Sequence, residues 1–223
     1  MRTRLFLTTL LLAACAPLAH AASTVTDTDL EDCNVLLGKS KKAAFDRTLK
    51  TMQQAAARGD ADDVMRYGAA LHNRLACLNT KYTGDEGWGM VMSNEDGTSV
   101  EAKHPPHADP AAHPDMAAAL RAAVRNFERI ADTDLRARTL LGQYHADYAV
   151  YLKQPAQGYV YMASVYSAQC RNVADRDKAT RSRCQTLRQD RILYNSLVAP
   201  TQRTQLDDAA TAWADGYLAR TPR

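Results

Sequence analysis

Three of the chain's six histidines fall within one short stretch, and they are the residues with the widest chemical reach. His104, His107 and His113 stand in Lys103-His104-Pro105-Pro106-His107-Ala108-Asp109-Pro110-Ala111-Ala112-His113-Pro114-Asp115. Neutral imidazoles together with Asp109 or Asp115 could ligate a divalent transition metal such as zinc, nickel or copper. The prolines would stiffen such a loop and lower the cost of ordering it. No fixed ligand spacing is present, so the same stretch also reads as a polar, proline-rich linker. His72 and His145 lie inside helical patterns instead. His145 and Asp147 are two positions apart, which on a helix sends them to different faces, so they do not form a base with its orienting carboxylate. His72 has no nucleophile beside it in the sequence.

Motifs for nucleophilic and phosphate chemistry are missing. The chain has no Gly-x-Ser-x-Gly elbow, no His-Glu-x-x-His helix and no glycine-rich phosphate loop. The carboxylate groups Asp62-Asp63, Asp132/Asp134 and Asp207-Asp208 stand where helices begin, where negative charge complements the helix dipole. Capping explains them without catalysis.

Aromatic residues supply the other chemistry. Six tyrosines crowd between Tyr144 and Tyr166, on two stretches expected to pack as a helical hairpin. Tyrosine joins a large apolar body to a hydroxyl, which suits recognition surfaces. A helical surface lined by Tyr151, Tyr159 and Tyr161 is the expected binding face, and Trp88 in a long loop is the second aromatic candidate. The stretch from Arg171 to Arg191 is arginine-rich, but Asp175, Asp177 and Asp190 interrupt it, and it reads as a solvated helix face.

The elements that would position these residues are helical. Apolar residues recur at three-to-four spacing along most of the chain. Thr28-Asp29-Leu30-Glu31 reads as a capping box that opens a short helix with Leu30, Cys33, Leu36 and Leu37, ended by Gly38. Ser40 is expected to cap a second helix that buries Phe45, Leu49, Met52 and Ala56. Gly59-Asp60 divides it from a third, with Val64, Leu71, Leu75 and Leu78. Asp115 is the expected cap of a fourth, whose stripe is Met116, Leu120, Val124 and Phe127. A fifth starts near Thr133 and carries Leu140, Tyr144, Tyr148 and Tyr151 as far as Pro155. A sixth spans 158–173, a seventh about 177–197, and a last one after Pro200 buries Leu206, Ala210, Trp213 and Tyr217. The fold class expected is therefore all-α, about eight helices in successive antiparallel hairpins, solenoid-like or an irregular bundle. No period of ~34–40 residues repeats along the chain. The pattern breaks only over 80–114, a long loop insertion in which 89–101 has the residues of a small β-hairpin.

The N-terminus and the cysteines bear on location. Arg2 and Arg4 precede an apolar run from Leu5 to Ala14, too short for the ~20 residues of a membrane-spanning helix. Ala19-His20-Ala21 completes a small-x-small cleavage pattern, so residues 1–21 read as a signal peptide and 22–223 as one helical domain. Leu12-Ala13-Ala14-Cys15 also reads as a lipobox, with Cys15 the point of lipid attachment in that alternative. Without Cys15, four of the five cysteines remain. An oxidising compartment favours their pairing. Local pairing joins Cys33 to Cys77 and Cys170 to Cys184, the second more firmly because a tight turn between antiparallel helices would bring its partners level.

The net charge of +3 comes from 28 basic and 25 acidic residues. It falls closer to neutrality once Arg2 and Arg4 are removed, which gives no electrostatic reason to expect nucleic acid or an anionic membrane surface as a partner. The leading expectation is an exported, non-enzymatic helical protein, periplasmic or secreted, that binds another envelope or secreted protein. A lipid-anchored form is the alternative location. The alternative functions are a metal-binding protein using His104, His107 and His113, and a hydrolase of envelope polymers with a site built from scattered residues. Only the metal reading implies a cofactor.

Overall fold

The computed structural model of the chain describes residues 25–84, 107–171 and 177–221, without the side chains of residues 189–193. The stretch 1–21 expected to be a signal peptide, Cys15, Trp88, His104 and the hairpin expected over 89–101 lie outside these residues. Every regular element among the described residues is helical, and nine are α-helices. They are α1 (Cys33–Leu36), α2 (Lys42–Ala56), α3 (Ala61–Thr83), α4 (Pro114–Glu128), α5 (Leu135–Asp147), α6 (Ala149–Leu152), α7 (Pro155–Cys170), α8 (Lys178–Tyr194) and α9 (Pro200–Arg220). The all-α class is as expected.

Neighbours in space follow the chain. α2 packs on α3, α3 on α4, α4 on α5 and α5 on α7, while α7 also carries both α8 and α9. The buried side chains fall into a large cluster over α2 to α6 and a second over α7, α8 and α9. A small third cluster joins Val35, Leu36, Phe45 and Cys77. α7 bridges the first two, because Tyr161 belongs to the large cluster and Tyr159 to the second. Close helix contact there depends on small residues. A Cβ on Gly158 would lie 2.5 Å from His145 Cβ, and one on Gly142 would lie 2.5 Å from Met162 Cγ.

Both disulfides have the expected pairing. Cys33–Cys77 joins α1 to α3 with a Cα–Cα distance of 5.4 Å, and Cys170–Cys184 joins the end of α7 to α8 at 5.5 Å. Both distances are ordinary for a bridge. A buried arginine makes a further junction. Arg138, 4% exposed on α5, donates from Nε to Ser164 Oγ on α7 at 2.5 Å and from Nη1 to the Ala131 carbonyl at 3.1 Å. Its guanidinium lies 3.9 Å from the Trp213 ring centroid of α9 and 5.0 Å from that of Tyr161. Burial pulls its pKa down to about 10, the desolvation penalty of a cation with no buried carboxylate partner.

The helix ends differ from the sequence expectation in five places. The reciprocal cap at the start is made two residues early: the Thr26 N–H donates to Asp29 Oδ2 at 2.8 Å and the Asp29 N–H to Thr26 Oγ1 at 3.3 Å. Asp32, not Thr28, then caps α1 by accepting from the Asn34 N–H at 2.8 Å. Ser40 does not cap α2. Its N–H is taken by the Asn34 carbonyl at 3.0 Å, and Lys41 holds the cap position with a left-handed φ of 46°. At α4 the cap is His113, because Pro114 supplies the first helical residue, where its fixed φ suits the helix and its missing N–H is no loss. Pro155 likewise starts α7 ahead of Gly158. The fifth helix is interrupted rather than continuous: Tyr148 leaves helical geometry at φ −118° and ψ 32°, and the four-residue α6 follows it.

Candidate functional site

One end of the array gathers several tyrosines and imidazoles from α3, α4, α5 and the segment that precedes α4. α3 ends there at Gly84, whose φ of 73° lets its N–H reach back to the Thr80 carbonyl at 2.9 Å. The chain returns at His107. Its path is fixed by the buried Asn79 of α3, whose side-chain oxygen accepts the Ala108 N–H at 2.8 Å. α4 begins at this end and α5 finishes at it, so the first turn of one and the last turn of the other flank the returning segment.

Two groups of side chains result. In the first, the His72 Nδ1 of α3 lies 2.8 Å from the Tyr144 hydroxyl of α5. One turn on, Asp147 Oδ1 lies 3.6 Å from His107 Nε2, and the His107 ring tilts against Tyr148 at a centroid distance of 5.1 Å. Tyr144 and Tyr148 are almost wholly buried. Burial raises both hydroxyl pKa values well above the ordinary phenol, and the Asp147 charge raises them further. Burial lowers the His72 pKa, against the pull of Asp147. The Tyr148 hydroxyl is buried with no hydrogen-bond partner among the described residues.

The second group borders the first. His113 stacks on Tyr82 with ring centroids 3.6 Å apart and planes 8° from parallel. The Tyr82 hydroxyl donates to Asp115 Oδ1 at 2.7 Å, and Lys81 Nζ lies 3.3 Å from Asp115 Oδ2. Burial opposes ionisation of Asp115. The Tyr82 hydroxyl, the Met116 N–H and Lys81 outweigh it and hold the carboxyl below the usual range. Beyond α6, Arg121 Nη1 of α4 donates to the Tyr151 hydroxyl. Val150 beside it is 91% exposed, which marks it out among the large apolar residues described.

The chemistry open to this end is hydrogen bonding and charge recognition. Tyr144 and Tyr148 are held as neutral phenols, which donate hydrogen bonds and make poor nucleophiles. His107 and Asp147 form a half-buried pair that a polar ligand could reach. Among the described residues no group of three His, Cys, Asp or Glu is placed to hold a metal ion. His107 and His113 take different partners, Asp147 with Tyr148 and Tyr82 respectively.

The tyrosines expected to share a binding face are separated. Tyr159 is 1% exposed and donates to Asp207 Oδ1 of α9 at 2.9 Å. Tyr161 is buried against Arg138 and His145. Tyr151 alone of the three stands partly at the surface. Sequence reasoning passed over Asp147, His72 and Tyr148 as site residues. The usable signal was Tyr144, Asp147 and Tyr148 at i, i+3 and i+4, which share one side of α5 and its C-cap. No protein-family model, no curated protein and no solved structure matches the chain.

Proposed function

We propose that this chain is an exported helical binding protein that acts by contact with another envelope or secreted protein. The two disulfides support an oxidising destination. No helix among the described residues is long and apolar enough to cross a membrane. The observation that carries the reading is the Arg121–Tyr151 pair beside the exposed Val150. Tyrosine and arginine are the residues over-represented where interfaces concentrate their binding energy. Here they are held in one orientation next to apolar surface, so docking a partner would order few extra side chains.

A photo-crosslinking residue at Val150, in the chain expressed in its own cells, tests the reading. One discrete adduct in the exported fraction is expected, weakened by Tyr151→Ala and by Arg121→Ala. The absence of any adduct, or an adduct that both substitutions leave unchanged, would overturn it. The intact mass under non-reducing conditions tests the location separately: two bridges should be present on a chain starting at Ala22, or at a lipid-bearing Cys15.

A further inference from the structure

One titratable side chain lies wholly inside the contact between the two large clusters. His145, in the last turn of α5, is 1% exposed, and neither of its ring nitrogens has a hydrogen-bond partner among the described residues. It sits where α5 and α7 touch. A Cβ on Gly158 would lie 2.5 Å from His145 Cβ, and the Tyr161 ring centroid is 5.8 Å from that of the imidazole. The contact continues along α5 with Gly142 under Met162, then with Arg138 bonded to Ser164. Because α7 carries α8 and α9, its packing on α5 is the main tie between their cluster and that of α2 to α6.

A neutral imidazole is held here at the moderate cost of polar atoms left unbonded. An imidazolium is far more costly, since a buried charge needs a partner. No described group offsets it. Tyr161 faces it from α7 and Tyr148 follows it by one turn, and burial keeps both hydroxyls un-ionised. Arg138, 5.0 Å from the Tyr161 ring, contributes a like charge. Glu128 of α4 and Asp132 act on Tyr161 but not on His145. The end of α5 favours a cation and the start of α7 opposes one, so these two helix ends offset each other. Burial decides, and it lowers the His145 pKa.

The ring can be hydrated only if α5 and α7 part beside Gly158. We propose that the His145 end of the α5–α7 contact is an acid-released joint, in which uptake of one proton by the buried imidazole frees α7 from α5. In the open state His145 has the ordinary value of about 6.5, and in the closed state a lower one. The open state therefore binds the extra proton and gains population as pH falls. Glu128 works with the opposite sign: burial raises its carboxyl pKa, so its protonation favours the closed state. The joint does not depend on the Val150–Tyr151 edge.

Hydrogen exchange on the full disulfide-bonded chain between pH 7 and pH 5, corrected for the intrinsic rate at each pH, tests this. A helix freed from its neighbour frays. The opening constant at amides 159–165 of α7 is expected to rise by close to tenfold per pH unit below about 6.5. It should also exceed that of α3 and α4, which open only with the whole fold. His145→Leu and His145→Gln cannot take up the proton and should flatten the α7 response. His72→Gln, which removes the other imidazole of α3 and α5, should leave it. In the parent chain, the His145 ring signal followed by NMR, assigned through its contact with Tyr161, should change only as α7 loses protection. The proposal is overturned if α7 shows no rise, if α7 opens only as readily as α3 and α4, if the rise survives both His145 variants, or if the ring is protonated while α7 stays protected.

Discussion

Breaking the Cys170–Cys184 bridge should release α8 while leaving the rest of the helical array folded. The bridge closes a loop with a sequence separation of 14, for which chain entropy gives a stabilisation of about 3 kcal/mol. α8 packs on α7 and on the short 3₁₀ turn that follows it. Its described buried side chains are Cys184, Leu187 and Tyr194. Leu187 contributes about 1.5–3 kcal/mol of burial and Tyr194 a comparable amount, while an isolated helix of this length is marginal in water. Removing about 3 kcal/mol therefore takes most of what holds α8 down. Hydrogen exchange on the paired Cys170→Ser and Cys184→Ser variant should show protection lost over 178–194 and kept in α3, α4 and α5. The Cys33–Cys77 bridge, with a separation of 44, should behave differently. It ties α1 to α3 beside the buried Phe45 and Leu36, and its loss should lower the global unfolding free energy by about 4 kcal/mol. If α8 amides stay protected in the first variant while the global denaturation midpoint falls, α8 is an integral part of the core and the argument from its contacts is wrong.

Gly158→Ala should lower the melting temperature although alanine favours a helix by about 1 kcal/mol. The new Cβ would meet His145 Cβ at 2.5 Å, and prising α5 from α7 costs about 1–3 kcal/mol, so an unchanged or raised melting temperature would show that the contact gives way freely. Stability should also fall as pH drops below about 6.5, because burial lowers the folded-state pKa of both His72 and His145. Between the folded and unfolded pKa values the unfolded chain binds more protons, so unfolding becomes easier as pH falls through that window and the loss levels off below it. Urea midpoints at pH 7.5 and 5.0 check this. His145→Leu should flatten the dependence, and equal midpoints in the parent chain would refute it.

The helices were legible because their buried stripes are regular. Val64, Leu71, Leu75 and Leu78 on α3, and Met116, Leu120, Val124 and Phe127 on α4, are all buried as their spacing implies. Helix ends were less legible, since several residues compete for each cap. Thr26 with Asp29 and Thr28 with Glu31 have the same spacing, and a tertiary contact, Lys41 Nζ to Asp29 Oδ1 at 2.8 Å, accompanies the first. The interruption at Tyr148 has no local signal, as neither glycine nor proline stands near it. It falls where His107, from a segment remote in the chain, packs on the Tyr148 ring. The candidate site was illegible for a related reason. His72 meets Tyr144 across 72 positions, and no periodicity within one helix reports which residue of another helix will face it.

The tyrosines show why composition alone does not separate a surface aromatic from a core one. α7 buries nine of its residues, Gly158, Tyr159, Tyr161, Met162, Ala163, Ser164, Val165, Ala168 and Cys170, which lie all around the helix rather than on one stripe. A helix apolar on every side belongs inside, and α7 is indeed flanked by α5, α8 and α9. Tyrosines carried by such a helix become core residues whose hydroxyls must find partners in the interior, as Tyr159 does on Asp207. Tyr151 escapes because it belongs to α6, set apart from α5 by the break at Tyr148. The break at Tyr148 therefore decides which of these side chains stay at the surface, as Val150 and Tyr151 of α6 do. The density of tyrosine in the sequence does not choose them. A Tyr151→Ala effect on partner capture with no matching loss of stability would follow from this division, whereas the same change at Tyr159 should act through the fold.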